Sequence, residues 1–149
     1  MRILHLDKNH EYLSSELEKL GFENHYDYTS SKDEILEKID DYIGIIIRSR
    51  IIIDDEIIKS ANKLKFIARI GAGLENIDLI SAKKNNIQVL SAGEANSNAV
   101  GEHAIGMLLS LLNNIGISNE EIKTNVWERE KNRGIELEGK VVGIIGFGK

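Results

Sequence analysis

The sequence contains no cysteine, which excludes disulfides, thiol nucleophiles and cysteine-based zinc sites. It contains no proline either, and no functional reading follows from that. No apolar run approaches the roughly 18 residues that a membrane span needs. The opening Met1-Arg-Ile-Leu-His-Leu-Asp7 turns polar too soon for a signal peptide. A cytoplasmic protein with no membrane partner is therefore expected. Positive charge is also scarce: 19 Lys and Arg against 24 Asp and Glu give a net charge of −5. That balance argues against general nucleic-acid binding. The four histidines, His5, His10, His25 and His103, lack a second ligand at metal-binding spacing. His103 follows Glu102 on a predicted helix, where neighbours point in different directions, and reads as an ordinary helical histidine. No catalytic triad or acid–base pair is evident.

What is present suits one ordinary domain with a real core, at 149 residues and 42% hydrophobic. Residues 2–6 read as a strand. Residues 9–20 carry Tyr12, Leu13, Leu17 and Leu20 at amphipathic-helix spacing, ended by Gly21. Residues 22–28 form a weaker strand. Ser31 and Glu34 make a capping box for a helix over 31–39. Residues 42–47 are a β-branched run whose continuity indicates burial on both faces, as in a parallel sheet. Asp54 or Asp55 caps a short helix to about Ser60. Strand 65–69, a helix from Asn76 or Asp78 to Lys84, and strand 87–90 complete the alternation. That alternation implies βαβ units. Residues 91–98 read as a small-residue loop, 99–115 as the longest helix, 118–126 as a short helix, and Val141–Ile145 as a buried strand. The domain reading is residues 1–95, then a second unit over 96–149.

The chemistry concentrates where strands end. Only six arginines stand against thirteen lysines, yet Arg48, Arg50 and Arg69 all close apolar strands, while Arg129 lies near the single tryptophan, Trp127. In Lys65-Phe-Ile-Ala-Arg-Ile-Gly-Ala-Gly-Leu-Glu-Asn-Ile-Asp78, an apolar run stops at Arg69 and then at Gly71-Ala72-Gly73. Arginine offers a fixed fork of donors, and glycines let backbone N–H groups point at an oxyanion. A plain strand-to-helix turn is the competing reading. Ligands of open α/β sheets bind beyond the carboxyl ends of the strands, where Arg48, Ser49, Arg50, Arg69 and the glycine turn would lie. The expected ligand is a compact carboxylate or phosphate. Asp7, closing the first strand before a helix, also resembles the start of a receiver domain. A receiver needs its phosphoacceptor aspartate at the end of the third strand, where this chain has Arg48. At the far end, Gly146-x-Gly148 follows a strand pattern, the setting of a dinucleotide fingerprint.

Three stretches in order, Phe66–Asp78, Asn96-Ser-Asn-Ala-Val-Gly-Glu102 and Gly139-Lys-Val-Val-Gly-Ile-Ile-Gly-Phe-Gly148, resemble the D-isomer-specific 2-hydroxyacid dehydrogenases. The resemblance covers essentially the whole chain. It implies a flavodoxin-like parallel-sheet substrate domain, then a long helix and the first strand of a truncated Rossmann domain. It implies NAD as cofactor and a small anionic 2-hydroxy acid as substrate, with Arg48 and Arg69 at the phosphate end of phosphoglycerate. It assigns Ser49 to the same turn, the N–H groups of Ile70, Gly71 and Ala72 to the carboxylate, and Asn96 to the cleft. Ala72, Val100, Gly146 and Gly148 would meet the cofactor. Arg129, in Trp127-Glu-Arg129, would reach the partner subunit's site in a homodimer. Gly101 departs from the family's usual alanine. The family's catalytic arginine, acid and histidine have no counterpart here, so an inactive N-terminal portion is expected. Other readings are a dehydrogenase for glycerate, lactate or glyoxylate, or a non-catalytic flavodoxin-like anion-binding module.

Overall fold

The computed structural model describes residues 1–146. Five strands form one parallel sheet: β1 (Arg2–His5), β2 (Glu23–Tyr26), β3 (Gly44–Ile47), β4 (Phe66–Arg69) and β5 (Gln88–Ser91). Their spatial order is β2-β1-β3-β4-β5, the flavodoxin-like order. The helices between them are α1 (Glu11–Lys19), α2 (Lys32–Leu36), α3 (Asp55–Ser60) and α4 (Leu79–Lys84), with a 3-10 turn at Ile39–Asp41. Strand β3 lies between β1 and β4, and all four of its residues are buried, as its isoleucine run predicts. The core is mostly isoleucine and leucine: Ile3, Leu6, Ile35, Ile39, Ile45, Ile47, Ile53, Ile57 and Ile67 are fully enclosed. Burying each such side chain stabilises the fold by about 1.5–3 kcal/mol before entropy is counted.

The predicted caps form. Ser31 and Glu34 exchange both bonds of the capping box, Asp54 accepts from the Ile57 N–H, and Asp78 accepts from the Ser81 N–H. These caps set where each helix starts, and so the length of the loop that leaves each strand's carboxyl end.

The chain divides into two compact units, Met1–Glu94 and Ala95–Lys149. Helices α5 (Gly93–Leu112) and α6 (Ile115–Lys123) follow the sheet. Three expectations differ from the structure. Residues 93–98 are helical rather than a loop; their small side chains crowd no neighbouring turn, and Glu94 in the first turn suits a helix N-terminus. The long helix also stops at Leu112, because Asn114 takes a left-handed conformation, φ 51°, from which α6 starts at once. A third expectation, the strand over Val141–Ile145, does not form: Val141 and Ile145 are fully exposed and pair with no strand among the described residues. A β-branched run becomes a strand only where a neighbouring strand takes its N–H and C=O groups. Helix α5 buries none of its residues, and Val100, Ile105, Met107 and Leu111 lie open.

Candidate functional site

The carboxyl edge of the sheet carries the predicted cluster. Strands β3 and β4 are in register, Ile47 opposite Arg69, so the turns starting at Arg48 and Ile70 leave the sheet side by side. The turn after β3 is organised by Asp7, which follows β1. One carboxylate oxygen of Asp7 accepts from three successive N–H groups, those of Arg48 at 2.6 Å, Ser49 at 3.2 Å and Arg50 at 3.4 Å. This is a backbone nest closed by an internal anion. The role of Asp7 was not evident from its position. The only signal was an aspartate one strand away from a turn rich in unsatisfied donors.

The three strand-end arginines do different work. Arg50 lies at the expected sheet edge, but its donors are engaged by the fold. Its guanidinium donates to three carbonyl groups, those of Leu6 at 2.7 Å, Ser30 at 2.6 Å and Asp27 at 3.0 Å. Carbonyls leaving β1 and the loop before α2 have no ladder partners, and the fork supplies them. Arg69 is partly engaged: Nε donates to the Arg48 carbonyl at 2.9 Å, Nη1 to the Gly73 carbonyl, and Nη2 to the Glu75 carboxylate at 3.1 Å. Arg48 alone has a side chain with no partner among the described residues, and it lies exposed. It lines a cavity of about 520 Å³ together with Asp7, Lys8, Tyr28, Ser49 and Arg50. The Lys8 ammonium sits 6.0 Å from the Tyr28 ring centre. Burial, with the neighbouring Tyr26, pushes the Tyr28 phenol up, so it stays neutral and can donate.

The turn after β4 splits the expected N–H set. The Ile70 N–H is not free for a ligand, because it donates to the Ile47 carbonyl at 2.8 Å and extends the ladder by one bond. The N–H groups of Gly71 and Ala72 donate to nothing among the described residues, while the Gly71 carbonyl accepts from the Ala92 N–H at 3.0 Å. A Cβ on Gly93 would make ordinary contact with Ala72. The turn is thus pinned on its carbonyl side and open on its N–H side.

In the second unit, Val100 and Gly146 line one apolar cavity of about 580 Å³ with Ser97, Ala104 and Leu108. Gly146 has φ 93°, a conformation glycine adopts without cost. An apolar wall beside such a glycine fits the edge of a dinucleotide, so the residues present are compatible with NAD. Gly148 lies outside the described residues. Asn96 lies exposed on α5 and lines a shallow cavity with Val100 and His103. Arg129 lies exposed in a turn, with no side-chain partner among the described residues. His103 joins no carboxylate pair, and no cluster of three metal-ligating side chains occurs among the described residues. No helix of the described residues is long and apolar enough to cross a membrane.

A family model described as D-isomer specific 2-hydroxyacid dehydrogenase, catalytic domain, matches residues 3–136. A D-3-phosphoglycerate dehydrogenase from Methanocaldococcus jannaschii is 37% identical over the whole chain and 28% of its own length. The chain spans about 28% of the length of the curated relatives that match it end to end. Among solved structures, cofactor-bound 3-phosphoglycerate dehydrogenase from Entamoeba histolytica superposes with TM-score 0.63 at 34% identity, over 74% of this chain and 38% of that one. NAD-dependent formate dehydrogenase from Staphylococcus aureus, in complex with NAD, gives TM-score 0.79 at 27% identity over 99% of this chain and 50% of that one.

Proposed function

The chain belongs to the D-isomer-specific 2-hydroxyacid dehydrogenases, and from that premise we propose that it forms the substrate-binding wall of an NAD-dependent dehydrogenase acting on 3-phospho-D-glycerate. The observation that carries the reading is that the turns after β3 and β4 leave one sheet edge side by side, the first with the Arg48 guanidinium and the second with the Gly71 and Ala72 N–H groups, none of them partnered among the described residues. A 2-hydroxy acid with a phosphate at its other end has an anion for each. The N–H pair would hold the carboxylate. Arg48, with Arg69 behind it, would attract the phosphate. Ser49 sits in the Arg48 turn and adds a hydroxyl there. This orientation would fix the carbinol carbon between the two anions and leave its hydrogen facing outward.

NAD, when bound, would supply the acceptor for the hydride leaving that carbon. Val100, Gly146 and Gly148 are proposed to hold the cofactor with Ala72, on the family pattern. Asn96 and Arg129 are proposed for the substrate on the same pattern, Arg129 acting across a homodimer. Loss of hydride also requires a base for the hydroxyl proton. The described residues assemble no acid–base pair beside Arg48 or Gly71. We therefore propose that residues 1–149 bind without turning over, and that the parent activity belongs to serine biosynthesis in the cytoplasm.

Amide-detected NMR titration of this chain tests the assignment. With 3-phospho-D-glycerate, shifts are expected at Arg48, Ser49, Gly71 and Ala72. Arg48→Ala and Arg69→Ala should each weaken phosphoglycerate about tenfold, the loss of one charge-assisted contact, and D-lactate much less. Equal losses for both ligands reject the phosphate assignment. No NADH should form when the chain is mixed with NAD and the substrate.

A further inference from the structure

In the sequence, the glycine pair after β4 reads as space cleared for an incoming anion. In the structure the side-chain faces of both glycines are covered from within the chain, while the Gly71 and Ala72 N–H groups have no partner among the described residues. A Cβ on Gly71 would lie 3.2 Å from Arg69 Nη1, and a Cβ on Gly73 would coincide with the Glu75 carboxylate. The guanidinium therefore lies over the first glycine and the carboxylate over the second, joined Nη2 to Oε1 at 3.1 Å. Arg69 is well anchored: its side chain is 13% exposed, and its other donors meet the Arg48 and Gly73 carbonyls. The Glu75 side chain is 67% exposed and, among the described residues, is held by Arg69 alone.

We propose that Glu75 is an internal competitor for Arg69, its carboxylate occupying the edge of the guanidinium that the ligand's anionic end takes. The proposal rests on reading Arg69 as a substrate-facing cation. It makes Glu75 a specificity-determining residue. A monocarboxylate exchanges like for like at Arg69 and gains nothing by entering. A phosphate dianion brings more charge and a third acceptor oxygen, and so displaces the carboxylate at a net gain. The exchange is feasible because the Glu75 half of the pair is solvent-facing, and ion pairs with an exposed partner contribute little. Gly73 is the feature that permits the arrangement, since any side chain there would push Glu75 off.

The test uses the 149-residue chain, with ¹⁵N-detected arginine side-chain NMR at low ionic strength. Inorganic phosphate and acetate are the probes. In the wild type, phosphate should shift the Arg69 Nε–H signal and acetate should not. Glu75→Gln and Gly73→Ala should each tighten phosphate about three- to fivefold, the scale of one released exposed pair. Both should also admit acetate. Gly73 does not have a positive φ, and the three atoms nearest an added Cβ all belong to the Glu75 carboxylate. If Gly73→Ala fails to fold, Glu75→Ala takes its place. Unchanged phosphate affinity in the variants, with Arg69 still responding, overturns the competition and leaves the anion site standing. Phosphate that shifts neither Arg48 nor Arg69 in any of the chains overturns both.

Discussion

Replacing Asp7 should destabilise the first unit by a predictable amount. Its carboxylate accepts three N–H groups, but only the Arg48 contact, at 2.6 Å, is short; the Ser49 and Arg50 contacts are 3.2 and 3.4 Å. A hydrogen bond to a charged group is worth about 1.5–3 kcal/mol net, and the two longer ones add about half that or less between them. Arg48 and Ser49 are exposed, so water takes over their N–H groups once the carboxylate is gone, which draws the total toward the low end. Asp7→Ala should therefore cost about 2 kcal/mol. Asp7→Asn keeps one acceptor oxygen without the charge and should cost about half as much. For a unit of this size, 1 kcal/mol lowers Tm by about 4–8 °C. Urea unfolding followed by circular dichroism is the assay, with the midpoint falling at constant slope. Lys8→Ala serves as the neighbouring control and should change little. A loss under about 0.5 kcal/mol for Asp7→Ala, or an asparagine as costly as alanine, would refute the claim that this carboxylate organises the turn.

Three further outcomes follow from the same contacts. Gly44→Ala should cost about 1–3 kcal/mol by overpacking, because a Cβ there overlaps the ring of Phe66, its register partner; adding Phe66→Leu should recover part of the loss in a double-mutant cycle. Ser31→Ala should cost about 1 kcal/mol by removing the capping box of α2, read as a lower urea midpoint. His5 is buried, which pushes its pKa down from 6.5 against the opposing pull of the Asn24 bond. The unfolded chain therefore takes up the proton first. The stability His5 contributes is complete above pH 6.5 and is lost as pH falls from there through its lower folded value, a slope that His5→Gln should remove.

The sheet was legible because its signals are local or periodic. The isoleucine run of β3, the capping box at Ser31 and the alternation of strands with short helices each depend on neighbours in sequence. Element boundaries moved by a residue or two, where the ladder rather than composition decides the end of a strand. Val141–Ile145 shows the limit of that reasoning. Like β3 it is β-branched apart from one glycine, but β3 has β1 and β4 beside it and the later run has no strand beside it among the described residues. Helix α5 starts earlier than its sequence suggests for the opposite reason: small polar residues after Ala92 resemble a loop, yet they form its first turns.

At the candidate site, residue type was legible and residue role was not. Arg48, Arg50 and Arg69 look alike in the sequence, each a cation closing an apolar run. Which one stays free depends on where unpaired carbonyls fall, and those come from distant segments. Leu6, Asp27 and Ser30 bring three carbonyls together and consume Arg50. The Arg48 and Gly73 carbonyls take two donors of Arg69, and Glu75 takes a third. Only after these demands are met does the Arg48 guanidinium remain for a ligand. The same accounting applies to the backbone. Of three adjacent N–H groups after β4, the sheet claims that of Ile70 and leaves those of Gly71 and Ala72. The proposed anion site is thus the remainder once the described residues have satisfied their own donors and acceptors. A substitution that frees a carbonyl elsewhere on this edge, such as Arg50→Ala, should draw on the same cations and weaken phosphate binding without touching the ligand.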